Sequence, residues 1–91
     1  MTEQSGIREE LVAGVIEIVV RLAHERGIEI SAGQLGEQSD VRNFDLDSMD
    51  QVLILNEVED RWGVTIDDDA ARGGESIGAL VDALAAALAE R

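Results

Sequence analysis

Apolar residues at Ile7, Leu11, Val15, Ile18 and Leu22, with Val19 beside them, recur every three or four positions. That period places them on one face of a long amphipathic helix, with Thr2 or Ser5 as its N-cap and Gly27 as its stop. The following stretch, IEISAGQLGEQSDVRNFDLD, keeps no period and reads as a long loop. Loops of that length are uncommon in a compact domain unless they have work to do. Ile28, Ile30, Leu35, Val41, Phe44 and Leu46 can pin it to a core, and a short helical turn fits inside it.

A second helix is expected from about Ser48 to Trp62, stopped by Gly63 and capped by Asp47 or Ser48. Ile54, Leu55, Val58 and Trp62 share one face and form its core stripe. Met49, Val52 and Leu53 lie off that stripe, and Asn56, Glu59 and Asp60 continue their patch. Such a patch either meets a partner or packs under a neighbouring loop, and the pattern leaves both open. Beyond Val64–Ile66, the run TIDDDAARGGE starts a short helix that the glycines at 73 and 74 would break. Ser76 then caps a last helix whose core face is Ile77, Leu80, Val81, Leu84 and Leu88. Only IEI alternates, which is too short to found a sheet. The expected architecture is an all-α four-helix bundle: three main helices, one short helix, and a long loop between the first two.

Composition agrees with this. The 91 residues suit one domain over 1–91, and 45% are hydrophobic, with Trp62 and Phe44 the only aromatics and no proline. No cysteine is present, so disulfides and thiolate metal sites are excluded. The opening MTEQSGIREE lacks the basic and apolar regions of a signal peptide, and no apolar run approaches a bilayer's thickness. A cytoplasmic location fits. Twenty acidic residues face seven arginines and no lysine, for a net charge of −13. Nucleic acid and anionic membranes would be repelled, whereas a basic protein partner would be attracted.

The acidic balance centres attention on DLDSMD, where Ser48 has Asp45 and Asp47 before it and Asp50 after it. A nucleophilic serine needs a base and an oxyanion site. The single histidine, His24, lies in a polar stretch near the end of the first helix, and the flanking carboxylates would oppose an oxyanion. Hydrolysis is therefore a poor fit. Read as a calcium loop from Asp45, the fifth and sixth places are Met49 and Asp50 and the twelfth is Asn56, so that pattern fails. Asp67, Asp68 and Asp69 read better as a solvated acidic turn than as a divalent-ion site. No phosphate-cradling glycine loop is present. What remains is a serine that simply caps a helix, or one that another enzyme modifies, with the amides of the helix favouring an anion there.

At these positions the chain resembles the acyl carrier proteins. Their signature is an aspartate–serine–leucine core followed by an acidic amphipathic helix, and here Asp47, Ser48, Met49, Asp50, Gln51, Val52, Leu53 and Ile54 are followed by Glu57, Glu59 and Asp60. The resemblance continues through Trp62-Gly63-Val64-Thr65-Ile66 and Glu75-Ser76-Ile77-Gly78-Ala79-Leu80-Val81, so it covers nearly the whole chain. There are departures. Methionine replaces leucine after the serine, Leu53 stands where many fatty-acid carriers have glutamate, and Asn56 where they often have methionine. Leu46 and Asp47 occupy places that are glycines in peptidyl carriers, and the glycine pair at 73 and 74 is atypical.

The resemblance implies a non-catalytic, monomeric acyl carrier. Ser48 would be the attachment point for phosphopantetheine, transferred from coenzyme A by a magnesium-dependent phosphopantetheinyl transferase. An acyl group would ride as a thioester on the arm, loaded by an acyltransferase or acyl ligase and used by a ketosynthase or other acyl-processing enzyme. Asp47, Met49, Asp50, Val52, Leu53, Asn56, Glu59 and Asp60 would form the partner face, and the departures favour polyketide or other specialised biosynthesis over fatty-acid synthesis. The alternative from another class is a small acidic protein-interaction domain without a prosthetic group, in which Ser48 only caps.

Overall fold

A computed structural model describes residues 2–66 and 76–90, with side chains described from Ile7 onward. Among these residues the elements are α1 (Thr2–Glu25), a 3₁₀ turn (Ala32–Gln34), a second 3₁₀ turn (Val41–Phe44), α2 (Ser48–Trp62) and α3 (Ile77–Ala89). The fold is all-α. The only strand-like pairing among the described residues is an isolated antiparallel bridge between Asp40 and Ser76. The short helix expected after Thr65 falls at 67–75, outside the described residues.

α1 packs against both other helices and forms the spine. Leu11, Val15, Ile18 and Val19 are buried on it, facing Ile54 and Val58 of α2 and Ile77, Val81 and Leu84 of α3. Each such side chain removed from water contributes about 1.5–3 kcal/mol, so the stripe is what holds three short-ranged helices together. The expected stripes need correction at their ends. Ile7 is exposed, because the core stops one turn later, at Leu11, and the neighbouring Arg8 faces α3 through Asp82 and the loop through Glu37. Leu22, Leu55, Trp62, Leu80 and Leu88 are half-buried against the core's rim. Ser5 lies inside α1, not at its cap.

Both stops predicted from glycine hold. Gly27 has φ 79°, with its own amide donating to His24 O (3.0 Å) and the Ile28 amide to Ala23 O (2.8 Å). A side chain at this φ would be strained, which is why glycine ends the helix here. Gly63 closes α2 in the same left-handed region. Gly14 serves a different purpose: a Cβ there would sit 2.7 Å from Trp62 Cη2, so its absence lets the indole lie against α1.

The long loop is tied at several points. Ile30, Leu35, Val41 and Leu46 are buried, with Ile28 and Phe44 half-buried beside them. The amides of Ile77 and Gly78 donate to Ser39 O (2.9 Å) and Glu37 O (2.8 Å), so the loop satisfies donors at the start of α3. Ser76 caps that helix as expected, accepting from the Ala79 amide (3.1 Å). No helix among the described residues is long and apolar enough to cross a membrane.

Candidate functional site

Asp45 ends the second 3₁₀ turn with φ 66°, a left-handed conformation that aspartate tolerates better than most residues. The reversal sends Leu46 into the core, where it is 1% exposed. Asp47, Ser48 and Met49 then face solvent, and Asp50 turns back inward at 2% exposure. Two buried anchors thus bracket a three-residue outward stretch with the serine at its centre.

Asp47, in extended conformation, is the N-cap of α2. Its Oδ1 accepts from the Asp50 amide (3.0 Å), and Asp50 Oδ2 accepts from the Asp47 amide (3.1 Å). This reciprocal capping box settles the choice between Asp47 and Ser48, and it leaves the serine hydroxyl uncommitted. Ser48 is the first residue of the helix and is exposed. The bond from the Asp50 amide, aided by the nearby Arg26 cation, holds the Asp47 carboxyl below its ordinary range. Of the first-turn amides of α2, that of Asp50 is taken by the Asp47 carboxylate.

Asp50 also needs correction as a partner-face residue. Its second role is internal: Arg26, at the end of α1, donates from Nη1 to Asp50 Oδ1. Burial of that carboxylate without such partners would be costly. Glu59 is partly withdrawn as well, because its Oε2 accepts from the Ile66 amide (2.8 Å) and so fastens the chain after Gly63. Met49 (71%), Val52 (56%) and Leu53 (45%) are exposed, as are Asn56 and Asp60. Spacings of three and four carry Met49, Val52, Leu53, Asn56 and Asp60 down one side of α2 from the serine.

Arg26 is the residue that sequence reasoning missed. Its signal was present in two parts: Asp47-x-x-Asp50 has capping-box spacing, and Arg26 directly precedes the glycine that ends α1. His24 is exposed in the last turn of α1, as expected. No cluster of three or more His, Cys, Asp or Glu suited to a metal occurs among the described residues, and Asp67, Asp68 and Asp69 lie outside them.

The fold and site define the class: an all-α domain with an exposed serine at the first position of α2. The family model of the phosphopantetheine attachment site matches residues 30–84. Meromycolate extension acyl carrier protein of Mycobacterium leprae is 34% identical over 74 residues, covering 81% of this chain and 61% of that protein. Acyl carrier protein of Beutenbergia cavernae is 33% identical over 81 residues, 89% of this chain and 94% of its own. That of Tropheryma whipplei (strain Twist) is 33% identical over 76 residues, 82% and 92% respectively. The chain thus spans less than two thirds of the Mycobacterium leprae relative and nearly all of the other two. It belongs to the acyl carrier protein family, whose prosthetic group is phosphopantetheine and whose members carry cargo rather than catalyse.

Proposed function

We propose that residues 1–91 form one carrier domain that holds acyl intermediates as thioesters on a phosphopantetheine arm attached at Ser48. The observation that carries this reading is the division of labour in the first turn of α2. Asp47 does the capping, so the Ser48 hydroxyl is exposed and free to react. Ser48 Oγ attacks the phosphorus that carries pantetheine in coenzyme A, loses its proton, and displaces adenosine 3′,5′-bisphosphate. A magnesium-dependent transferase supplies the metal and the base. Once attached, the arm provides a terminal thiol that exchanges acyl groups as thioesters. The chain's own residues present the arm: Leu46 and the Arg26–Asp50 pair fix its root, while Met49, Val52, Leu53 and Asp60 stand beside it for partners to read.

The partners are a phosphopantetheinyl transferase, an acyltransferase or acyl ligase, and a ketosynthase or other acyl-processing enzyme, met in the cytoplasm by a monomer. Specialised acyl biosynthesis, polyketide assembly included, is favoured over fatty-acid synthesis. Two features support it: Leu53 exposed on the side of α2 that bears Met49, and similarity to carriers named for meromycolate extension.

Intact mass spectrometry tests the reading. Incubated with coenzyme A, magnesium and a broad-specificity transferase, the protein gains one phosphopantetheinyl group, and Ser48→Ala gains none while remaining helical. Modification of the alanine variant, or none of the wild type, overturns it and favours an interaction domain in which Ser48 only opens a helix.

A further inference from the structure

Arg8, Arg21 and Arg61 bond carboxylates that are open to water, whereas Arg26 bonds one that is 3% exposed. Asp50 uses both oxygens internally: Oδ1 accepts from the Arg26 guanidinium and Oδ2 from the Asp47 amide. Its own amide returns a bond to Asp47 Oδ1. A cation from the end of α1 therefore fixes the third residue of α2. That residue fixes the N-cap, and Ser48 lies between them. Remove the cation, and a buried carboxylate is left without its charge partner. Its favourable course is to rotate toward water. Doing so takes the acceptor away from the Asp47 amide and loosens the turn on which the serine sits.

We propose that Arg26 is a positioning residue for the modification of Ser48, acting through the Asp50–Asp47 capping box. The inference rests on the carrier reading above. It adds a residue that lies 22 positions upstream of the serine. Group transfer is sensitive to this kind of support, since a displacement of about 1 Å can slow a reaction about 100-fold. Loss of Arg26 leaves the serine in place but less well held, so the effect falls on kcat of the transferase. A residue that merely touched the transferase would instead alter KM.

The test follows phosphopantetheine transfer from coenzyme A to wild type, Arg26→Gln, Arg26→Lys and the double variant Arg26→Gln/Asp50→Asn. All are assayed well below their melting midpoints, with circular dichroism confirming the helices. Arg26→Gln should lower kcat about tenfold with KM little changed. The double variant should recover most of the loss, because a neutral amide at 50 still accepts from the Asp47 amide and leaves no unpaired buried charge. Arg26→Lys, which keeps the charge and is the fallback if the glutamine variant unfolds, should lie between. Equal rates for wild type and Arg26→Gln overturn the inference and leave the carrier reading intact. So does a double variant as slow as the single one, or a loss confined to KM. A wild type that accepts no group overturns the carrier reading itself.

Discussion

The guanidinium of Arg26, at the end of α1, bonds the buried carboxylate of Asp50 in the first turn of α2, although the two residues are 24 positions apart. The pair ties together the two ends of the long loop, so the loop's length does not translate into freedom at the serine. It also divides the acidic collar by function. Asp50 becomes framework, Asp47 becomes a cap, and only Asp45 and Asp47 remain open to solvent beside Ser48.

Removing one partner of this pair should cost unequal amounts. Arg26→Gln leaves a buried carboxylate unpaired and should destabilise by about 2–3 kcal/mol, below the usual range for buried pairs because Arg26 is itself half-exposed. Asp50→Asn leaves a solvated arginine and a preserved acceptor, and should cost about 1 kcal/mol. Urea midpoints with a common m-value measure both. The reverse order would show that burial of Asp50 is not what makes the pair matter.

Trp62 and Gly14 form a second dependency. Gly14→Ala puts a methyl 2.7 Å from the indole, and overpacking of about 1–3 kcal/mol should outweigh the gain in helix propensity of about 1 kcal/mol. Trp62→Ala should cost about 2–3 kcal/mol, less than a fully buried aromatic, since the ring is half-buried. In the double variant the alanine at 14 should become neutral or stabilising. A double variant whose cost is the sum of the two singles would show that the ring does not rest on Gly14.

Much of this was legible in the sequence, and the failures share one cause. Period-3.6 stripes located the helices, and Gly27, Gly63 and Ser76 marked their ends, because these signals are local. The loop anchors Leu35, Val41 and Leu46 were legible as isolated apolar residues in a polar stretch. The burial of Asp50 is not legible locally, because it depends on Arg26, a residue distant in sequence. Glu59 was assigned outward for the same reason, since the Ile66 amide that claims it lies beyond the helix stop.

Acid should expose the role of the Asp47 cap. The Asp47 carboxyl titrates below its ordinary value of 3.8 in the folded protein because it accepts the Asp50 amide. A folded value below the unfolded one means stability that is present above about pH 4 and is lost as pH falls through the folded value. Asp47→Asn keeps an acceptor but does not titrate. The melting-point gap between wild type and this variant should therefore be steady from pH 7 to about pH 5 and shrink below about pH 4. A gap that persists at pH 2 would place the difference outside this carboxyl. Asp40, depressed by its side-chain bonds to Arg42, should add a loss over the same window.

Recognition by acyl-processing enzymes should depend on the side of α2 that descends from the serine. Asp60 is exposed there, and neither Asp50 nor Glu59 is equivalent to it, because both are held by internal bonds. Asp60→Lys should slow acyl loading of the pantetheinylated protein about two- to tenfold, chiefly by lowering the association rate, and raised salt should slow the wild type in the same direction. Glu9→Lys, on α1 and also exposed, gives the same change in net charge and serves as the control. Leu53→Ser removes apolar contact without altering charge, so it should slow loading with little change in salt dependence. The measurement is the loading rate by the cognate acyltransferase or ligase across a salt series. If Asp60→Lys and Glu9→Lys lose equally, the partner senses only the protein's overall negative field, and α2 is not its docking face.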